Sequence, residues 1–177
     1  MHTLQWVAVE AEDKDEALAI AKSQLESQMG GDDYATNTWY DWFVAGGGRW
    51  NIAEDEDWQA GYEDKTNMII SYNEDPNGFS AKIQELIAYR VDLYSKYLEE
   101  FKGQDIVSKL DNYGGVMNYD PSFYALSRLV AFQQGVWDYD SGFYDLVHWS
   151  TNATHILSKV DNNEAKNIYL VPIDFHF

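Results

Sequence analysis

The stretch Asn167-Ile168-Tyr169-Leu170-Val171-Pro172-Ile173-Asp174-Phe175-His176-Phe177 reads as a β-strand, because β-branched and aromatic side chains suit a pleated, buried surface. Proline has no N–H to donate to a ladder, so Pro172 predicts that this strand lies at a sheet edge or carries a bulge. A sheet needs partners for such a strand. Thr3-Leu4-Gln5-Trp6-Val7-Ala8-Val9-Glu10 supplies one, with Val7 and Val9 β-branched. Trp39-Tyr40-Asp41-Trp42-Phe43-Val44 reads as another, running into Gly46-Gly47-Gly48. Residues 67–72 add a short strand before the turn signal Glu74-Asp75-Pro76-Asn77-Gly78.

Helical spacing separates these strands. Asp13 caps a helix with Glu16 three residues on, and Leu18, Ala21, Leu25 and Met29 recur along one side until Gly30-Gly31, giving a helix over 13–29. Ser80 is the expected N-cap of the longest helix, whose stripe is Ile83, Leu86, Ile87, Val91, Tyr94, Leu98 and Phe101, with Lys102-Gly103 closing it. About 22 residues at 1.5 Å each span roughly 33 Å, enough to cross one face of a small sheet. A helical turn is expected over Asp105–Leu110. Residues 123–132 read best as a strand, with their Ala and Leu leaving helix open, that turns at Gly135 into Val136-Trp137 and again, through Asp138–Gly142, into Phe143–Trp149, making a hairpin or meander. A short helix is expected near Thr151–Lys159. Helices and strands follow one another without regular βαβ alternation. The expected fold is therefore α+β: one domain over 1–177, with a mainly antiparallel or mixed sheet packed by one long and one medium helix.

Composition bounds the chemistry. With 177 residues, 45% hydrophobic and 16% aromatic, the chain carries enough apolar surface to offset the entropy of folding. It has no cysteine, which excludes disulfides, thiolate metal sites and cysteine nucleophiles. No run approaches the roughly 20 apolar residues of a membrane span, and Met1-His2-Thr3-Leu4-Gln5-Trp6 lacks a basic-then-apolar leader pattern, so a cytoplasmic protein is expected. The formal net charge of −18 disfavours nucleic acid and anionic lipid and favours basic partners. That charge is uneven: residues 1–75 hold 17 Asp and Glu against 4 Lys and Arg.

Within that acidic part lies Trp39-Tyr40-Asp41-Trp42-Phe43-Val44-Ala45-Gly46-Gly47-Gly48-Arg49-Trp50. Glycines open backbone angles closed to other residues and let a ligand approach main-chain amides. Arg49 adds a cationic fork, and the tryptophans add faces for stacking. Trp42, Gly46, Gly47, Gly48, Arg49 and Trp50 are accordingly the candidate ligand-binding set, for a planar or anionic group. The competing reading is a bend in which the glycines turn, the tryptophans pack, and Arg49 pairs with a carboxylate such as Asp41. A phosphate loop is excluded because Gly-Lys-Ser/Thr does not follow the glycines.

The motif resembles one in a family of uncharacterised bacteriophage and bacterial proteins, in which an aromatic-Asp-Trp-aromatic stretch is followed by Gly-Gly-Arg-Trp, here Gly47-Gly48-Arg49-Trp50. Those proteins end in a short apolar strand with Asp and His, to which Ile173-Asp174-Phe175-His176 is similar. The likeness covers about a third of the chain, and Gly46 and the acidic stretch after Trp50 depart from it. It implies a phage source, with host-cell cytosol as the compartment, and brings no activity.

Other constellations are weaker. Among His2, His148, His155 and His176 none has the i, i+4 spacing of a His-Glu-x-x-His site, and His148 and His155 are too far apart in sequence to imply shared ligation. His148-Trp149-Ser150 lacks the second motif of a two-histidine phosphoesterase. Asp138, Asp140, Gly142 and Asp145 do not follow EF-hand spacing and read as a solvated hairpin turn. No Gly-x-Ser-x-Gly elbow is present. No catalytic residue, metal ligand or cofactor is assigned. The run Glu54-Asp55-Glu56-Asp57 reads as an exposed acidic loop and, together with Trp58, supplies the candidate partner-binding residues. The leading expectation is a non-enzymatic acidic protein that binds, and inhibits, a basic nucleic-acid-binding or defence protein of a host. The alternative is a small-ligand or nucleotide-binding protein, sequestering or enzymatic, centred on Gly46–Trp50.

Overall fold

A computed structural model describes residues 1–29, 39–101 and 121–177, for 121–123 the backbone alone. In chain order the elements are β1 (His2–Glu10), α1 (Lys14–Met29), β2 (Trp42–Ala45), β3 (Ile70–Ser71), α2 (Pro76–Phe101), α3 (Pro121–Gln134), β4 (Phe143–Asp145), α4 (Thr154–Asp161) and β5 (Ile168–His176). Two 3₁₀ turns, Gly48–Asn51 and Trp58–Tyr62, lie between β2 and β3. The arrangement is α+β, with a five-stranded mixed sheet in the order β2-β5-β1-β4 and β3 also paired to β5.

The pair at the centre joins the two ends of the chain. β1 and β5 run antiparallel from His2 opposite His176 to Glu10 opposite Ile168. Both faces of this pair are covered. Val7, Val9, Val171, Ile173 and Phe175 point to the side packed by Ala17, Ala21 and Leu25 of α1. Trp6, Ala8, Ile168 and Leu170 point to the side packed by Phe79, Ile83 and Leu86 of α2 and by Ile156 of α4. A strand buried on both faces reads as a continuous apolar run, which is how both segments are written.

Pro172 therefore does not mark an edge: β5 is a central strand. The proline is tolerated because of where β5 changes partner. β2 pairs with β5 as far as Ala45 opposite Ile173, and β3 takes over at Ile70 opposite Leu170. Pro172 lies in the gap, its carbonyl accepting from Gly46 N at 2.8 Å. The N and C=O of one strand residue face the same side, so the missing donor points where β2 leaves the sheet and no ladder bond is due.

Three further expectations are corrected. Residues 123–132 are helical, as part of α3. Ala125, Arg128, Leu129 and Phe132 share one face at i, i+3, i+4 and i+7, and Val130 is the one β-branched residue of that run, so helical period and propensity prevail. With α3 in place there is no hairpin or meander: β4 pairs parallel with β1, Trp6 opposite Phe143, and Trp137 is packed against the core with its ring 4.1 Å from that of Tyr144. The long helix begins at Pro76 rather than after Ser80. Asp75 caps it, Oδ1 accepting from Gly78 N at 2.8 Å, and Pro76 occupies the first helical position, where a missing N–H costs nothing. Asp75→Ala is expected to lower stability by about 1 kcal/mol, read as a shift in the urea midpoint. The stops at Gly30-Gly31 and Lys102-Gly103 and the turn at 105–110 lie outside the described residues.

Candidate functional site

The triple glycine ends β2 with three consecutive left-handed residues, φ being 88° at Gly46, 101° at Gly47 and 52° at Gly48. L-residues with a Cβ resist this region, so the sharp departure from the sheet depends on glycine. Two of the three are also closely packed. A Cβ at Gly46 would lie 1.9 Å from Lys65 O, and one at Gly48 would lie 2.4 Å from Asp174 Cβ. The amides are engaged as well: Gly46 N with Pro172 O, Trp50 N with Gly47 O, and Arg49 N with Asp174 Oδ2 at 3.1 Å. The glycines thus serve close approach of chain to chain.

Their partner is Asp174, whose side chain is 2% exposed. Its Oδ1 lies 2.8 Å from His2 Nδ1, and its Oδ2 takes the Arg49 amide with the Arg49 Nε at 3.5 Å. Arg49 thus pairs with Asp174, and Asp41 pairs with His176 at 2.6 Å. Asp41 is held below the usual carboxylate range: slight burial works against this, and the hydrogen bond and charge of His176 outweigh it. The antiparallel register places these groups together, because His2 lies directly opposite His176 and diagonally from Asp174.

From this cluster an aromatic column leads outward. His2 meets Trp42 edge-on at 5.1 Å, His176 stacks on Trp42 at 5.0 Å, Trp42 stacks on Tyr62 at 5.9 Å, and Tyr62 meets Trp58 edge-on at 5.6 Å. Its outer end is open. Trp58 is 68% exposed, Tyr62 58% and Trp50 43%, large apolar areas for one stretch of 13 residues.

The acidic loop lies in the chain between Trp50 and Trp58 and divides into two parts. Glu56 and Asp57 hold the loop together. Glu56 Oε2 accepts from Ala53 N at 3.0 Å and from Lys65 Nζ at 2.7 Å, and these two bonds, the lysine's first, keep its carboxyl below the usual range. Lys65 also reaches Asn51 O, and Asp57 caps the second 3₁₀ turn by accepting from Gln59 N at 2.7 Å. Glu54 and Asp55 are exposed and, among the described residues, have no ion-pair partner. Glu63 is exposed beside Tyr62.

The sequence-derived ligand-binding set is thus brought to one edge of the sheet, with Arg49 engaged by a carboxylate rather than free. His2, Tyr62 and Lys65 were not foreseen in these roles; an antiparallel pairing of the two terminal strands would have pointed to His2, whereas Lys65 carries no local signal.

Two expectations for the second half of the chain are corrected here. Asp138 and Asp140 do not form a solvated turn: they face inward to Arg128 of α3, whose Nη2 lies 2.5 Å from Asp138 Oδ2 and whose Nε is 3.0 Å from Asp140 Oδ2. Tyr97 of α2 donates to Asp140 at 2.7 Å. His148 and His155 are not kept apart by their sequence separation, because the turn after β4 leads directly into α4 and their ring centroids are 4.3 Å apart. No helix among the described residues is long and apolar enough to cross a membrane. In comparisons with known proteins, no family model, no curated protein and no solved structure matches the chain.

Proposed function

We propose that this protein is an acidic interaction module that docks on a basic protein surface through the segment 50–63. The observation that carries the reading is the exposure of Trp50, Trp58 and Tyr62 together with the unpaired carboxylates Glu54 and Asp55 on one short stretch. Each component has a distinct role. A carboxylate field over a chain of net charge −18 speeds capture of a cationic partner, and aromatic side chains with few rotatable bonds supply the anchors that slow release. Glu56 and Asp57 act indirectly, by holding the loop in shape. The partner is a nucleic-acid-binding protein whose basic face would be covered. In keeping with the likeness to phage proteins, we place it in a host cytosol, as a host or defence protein that the complex inhibits.

The test is capture from host lysate at low and high salt, by wild type, by Glu54→Gln/Asp55→Asn and by Trp58→Ala. The expected result is a basic protein retained by wild type and released by salt, with retention falling about tenfold or more for Trp58→Ala, as for a central aromatic anchor. The carboxamide pair is expected to slow association and flatten the salt dependence while leaving dissociation little changed. Retention indifferent to salt and to both variants would overturn the proposal.

A further inference from the structure

We propose that Asp145, His148 and His155 form a site for a zinc-class divalent cation. The site lies at the end of β4, away from the aromatic column and independent of it. β4 ends in a tight turn closed by Asp145 N donating to Ser150 O at 2.7 Å and by the return bond from Ser150 N at 3.1 Å. Within it, Asp145 Oδ1 accepts from Val147 N at 2.9 Å and from His148 N at 3.1 Å, which fixes the carboxylate and leaves Oδ2 facing His148 Nδ1 at 2.8 Å. α4 then starts at Thr154, anchored by Asn152 Oδ1 accepting from Thr154 N at 2.9 Å, and its first turn sets His155 against His148. One ligand atom from each of the three lies within 4.8 Å of the others.

Three observations point to a cation rather than to packing. Asp145 is 0% exposed, and among the described residues no Lys or Arg pairs with it; its ion-pair partner is the neutralisable imidazole of His148. A buried carboxylate so placed gains from a positive charge. Next, the imidazole nitrogens of His155 make no hydrogen bond among the described residues, and both histidines are exposed, so an ion can enter from solvent and meet free lone pairs. Finally, Trp149, between the ligands, is held at φ 54°, a left-handed angle costly for a bulky residue, so the turn that presents His148 is built against a local preference.

The donor set selects the metal class. Two imidazoles and one carboxylate suit Zn²⁺, Co²⁺ or Ni²⁺ rather than Ca²⁺ or Mg²⁺, which take oxygen ligands. Ligand atoms around zinc stand about 3.3 Å apart, from bonds of about 2.0–2.1 Å in a tetrahedron. The 2.8 Å approach of Oδ2 to Nδ1 is already near that edge, and the exposed His155 ring holds a nitrogen within 4.8 Å of both other ligand atoms. On binding, the Oδ2···Nδ1 hydrogen bond is exchanged for two metal bonds, and the imidazole proton moves to the outer nitrogen or leaves to solvent. A fourth position faces water. The ion would tie the turn after β4 to α4.

Titration with CoCl₂ followed by visible absorption, and with ZnCl₂ by calorimetry, tests this on the full chain. One ion per chain is expected, with intense d–d bands of a low-coordinate nitrogen–oxygen site, and a higher melting temperature with Zn²⁺ than with Mg²⁺. His148→Gln and His155→Gln, both at exposed positions, are expected to weaken binding by more than about tenfold each, while His176→Gln leaves it unchanged. Melting of each variant without metal checks that it is folded. Absence of stoichiometric binding, or binding that survives both substitutions, would overturn the site; loss with His176→Gln instead would assign binding to the cluster beside Asp174.

Discussion

Gly46→Ala is expected to cost about 2–5 kcal/mol of stability, from a left-handed backbone penalty of about 1–2 kcal/mol and overpacking of about 1–3 kcal/mol. The added methyl would lie 1.9 Å from Lys65 O and 2.6 Å from Lys65 N. These are backbone atoms and cannot swing aside. Relief requires that the 46–65 contact open, which also draws Gly46 N from Pro172 O and Lys65 N from Ala45 O, loosening β2 from β5. Gly47→Ala is the control. Its φ of 101° is equally unfavourable, yet its nearest neighbour is Met68 Sδ at 3.0 Å, on a side chain that can move, so a loss of about 1–2 kcal/mol is expected. Urea unfolding of both variants decides the matter: equal losses would mean that backbone angle, and not contact with Lys65, sets the demand for glycine.

Arg128→Ala is expected to cost about 3–5 kcal/mol near neutral pH, the range for removing one partner of a buried ion pair. Arg128 and Asp138 are each 11% exposed and Asp140 16%, so the variant leaves two neighbouring carboxylates with little water. In the native chain burial raises Asp138, as does Asp140, with Arg128 working against both. Burial would raise Asp140 too, but hydrogen bonds from Asp138, Arg128 and Tyr97 outweigh it and hold it low. The signs follow. Asp140, depressed on folding, contributes stability above its unfolded value, which is lost as pH falls through the folded one. Asp138, raised on folding, costs stability at neutral pH and is relieved by protonation. Without Arg128 both carboxyls are raised, so the variant's deficit is expected to shrink as the pH is lowered towards about 4. Unfolding by urea at several pH values measures it. A deficit that does not change with pH would trace instead to the lost packing of the guanidinium on Tyr139, 4.6 Å away.

These two variants probe different kinds of sequence information. The Gly46–Gly48 bend is visible in the chain, since consecutive glycines after an aromatic strand announce unusual backbone. What they pack against is not visible, because Lys65 and Asp174 come from distant segments. The acidic run is similarly half legible. Its exposure follows from composition, while the division into the structural pair Glu56 and Asp57 and the unpaired Glu54 and Asp55 depends on where Lys65 arrives and where the second 3₁₀ turn begins.

By itself, the sequence determined the α+β class, the strand at each end of the chain, the helix over Lys14–Met29 and most of the long helix Pro76–Phe101. Each rests on a local period or cap that reads the same wherever the segment lies. Tertiary structure alone decided that β5 is central despite Pro172, that Asp174 meets Arg49 and His2, and that Asp145 gathers His148 and His155. The physical reason is common to all three. A ladder partner and the neighbour of a buried carboxylate are properties of two segments at once, and no local pattern encodes the second.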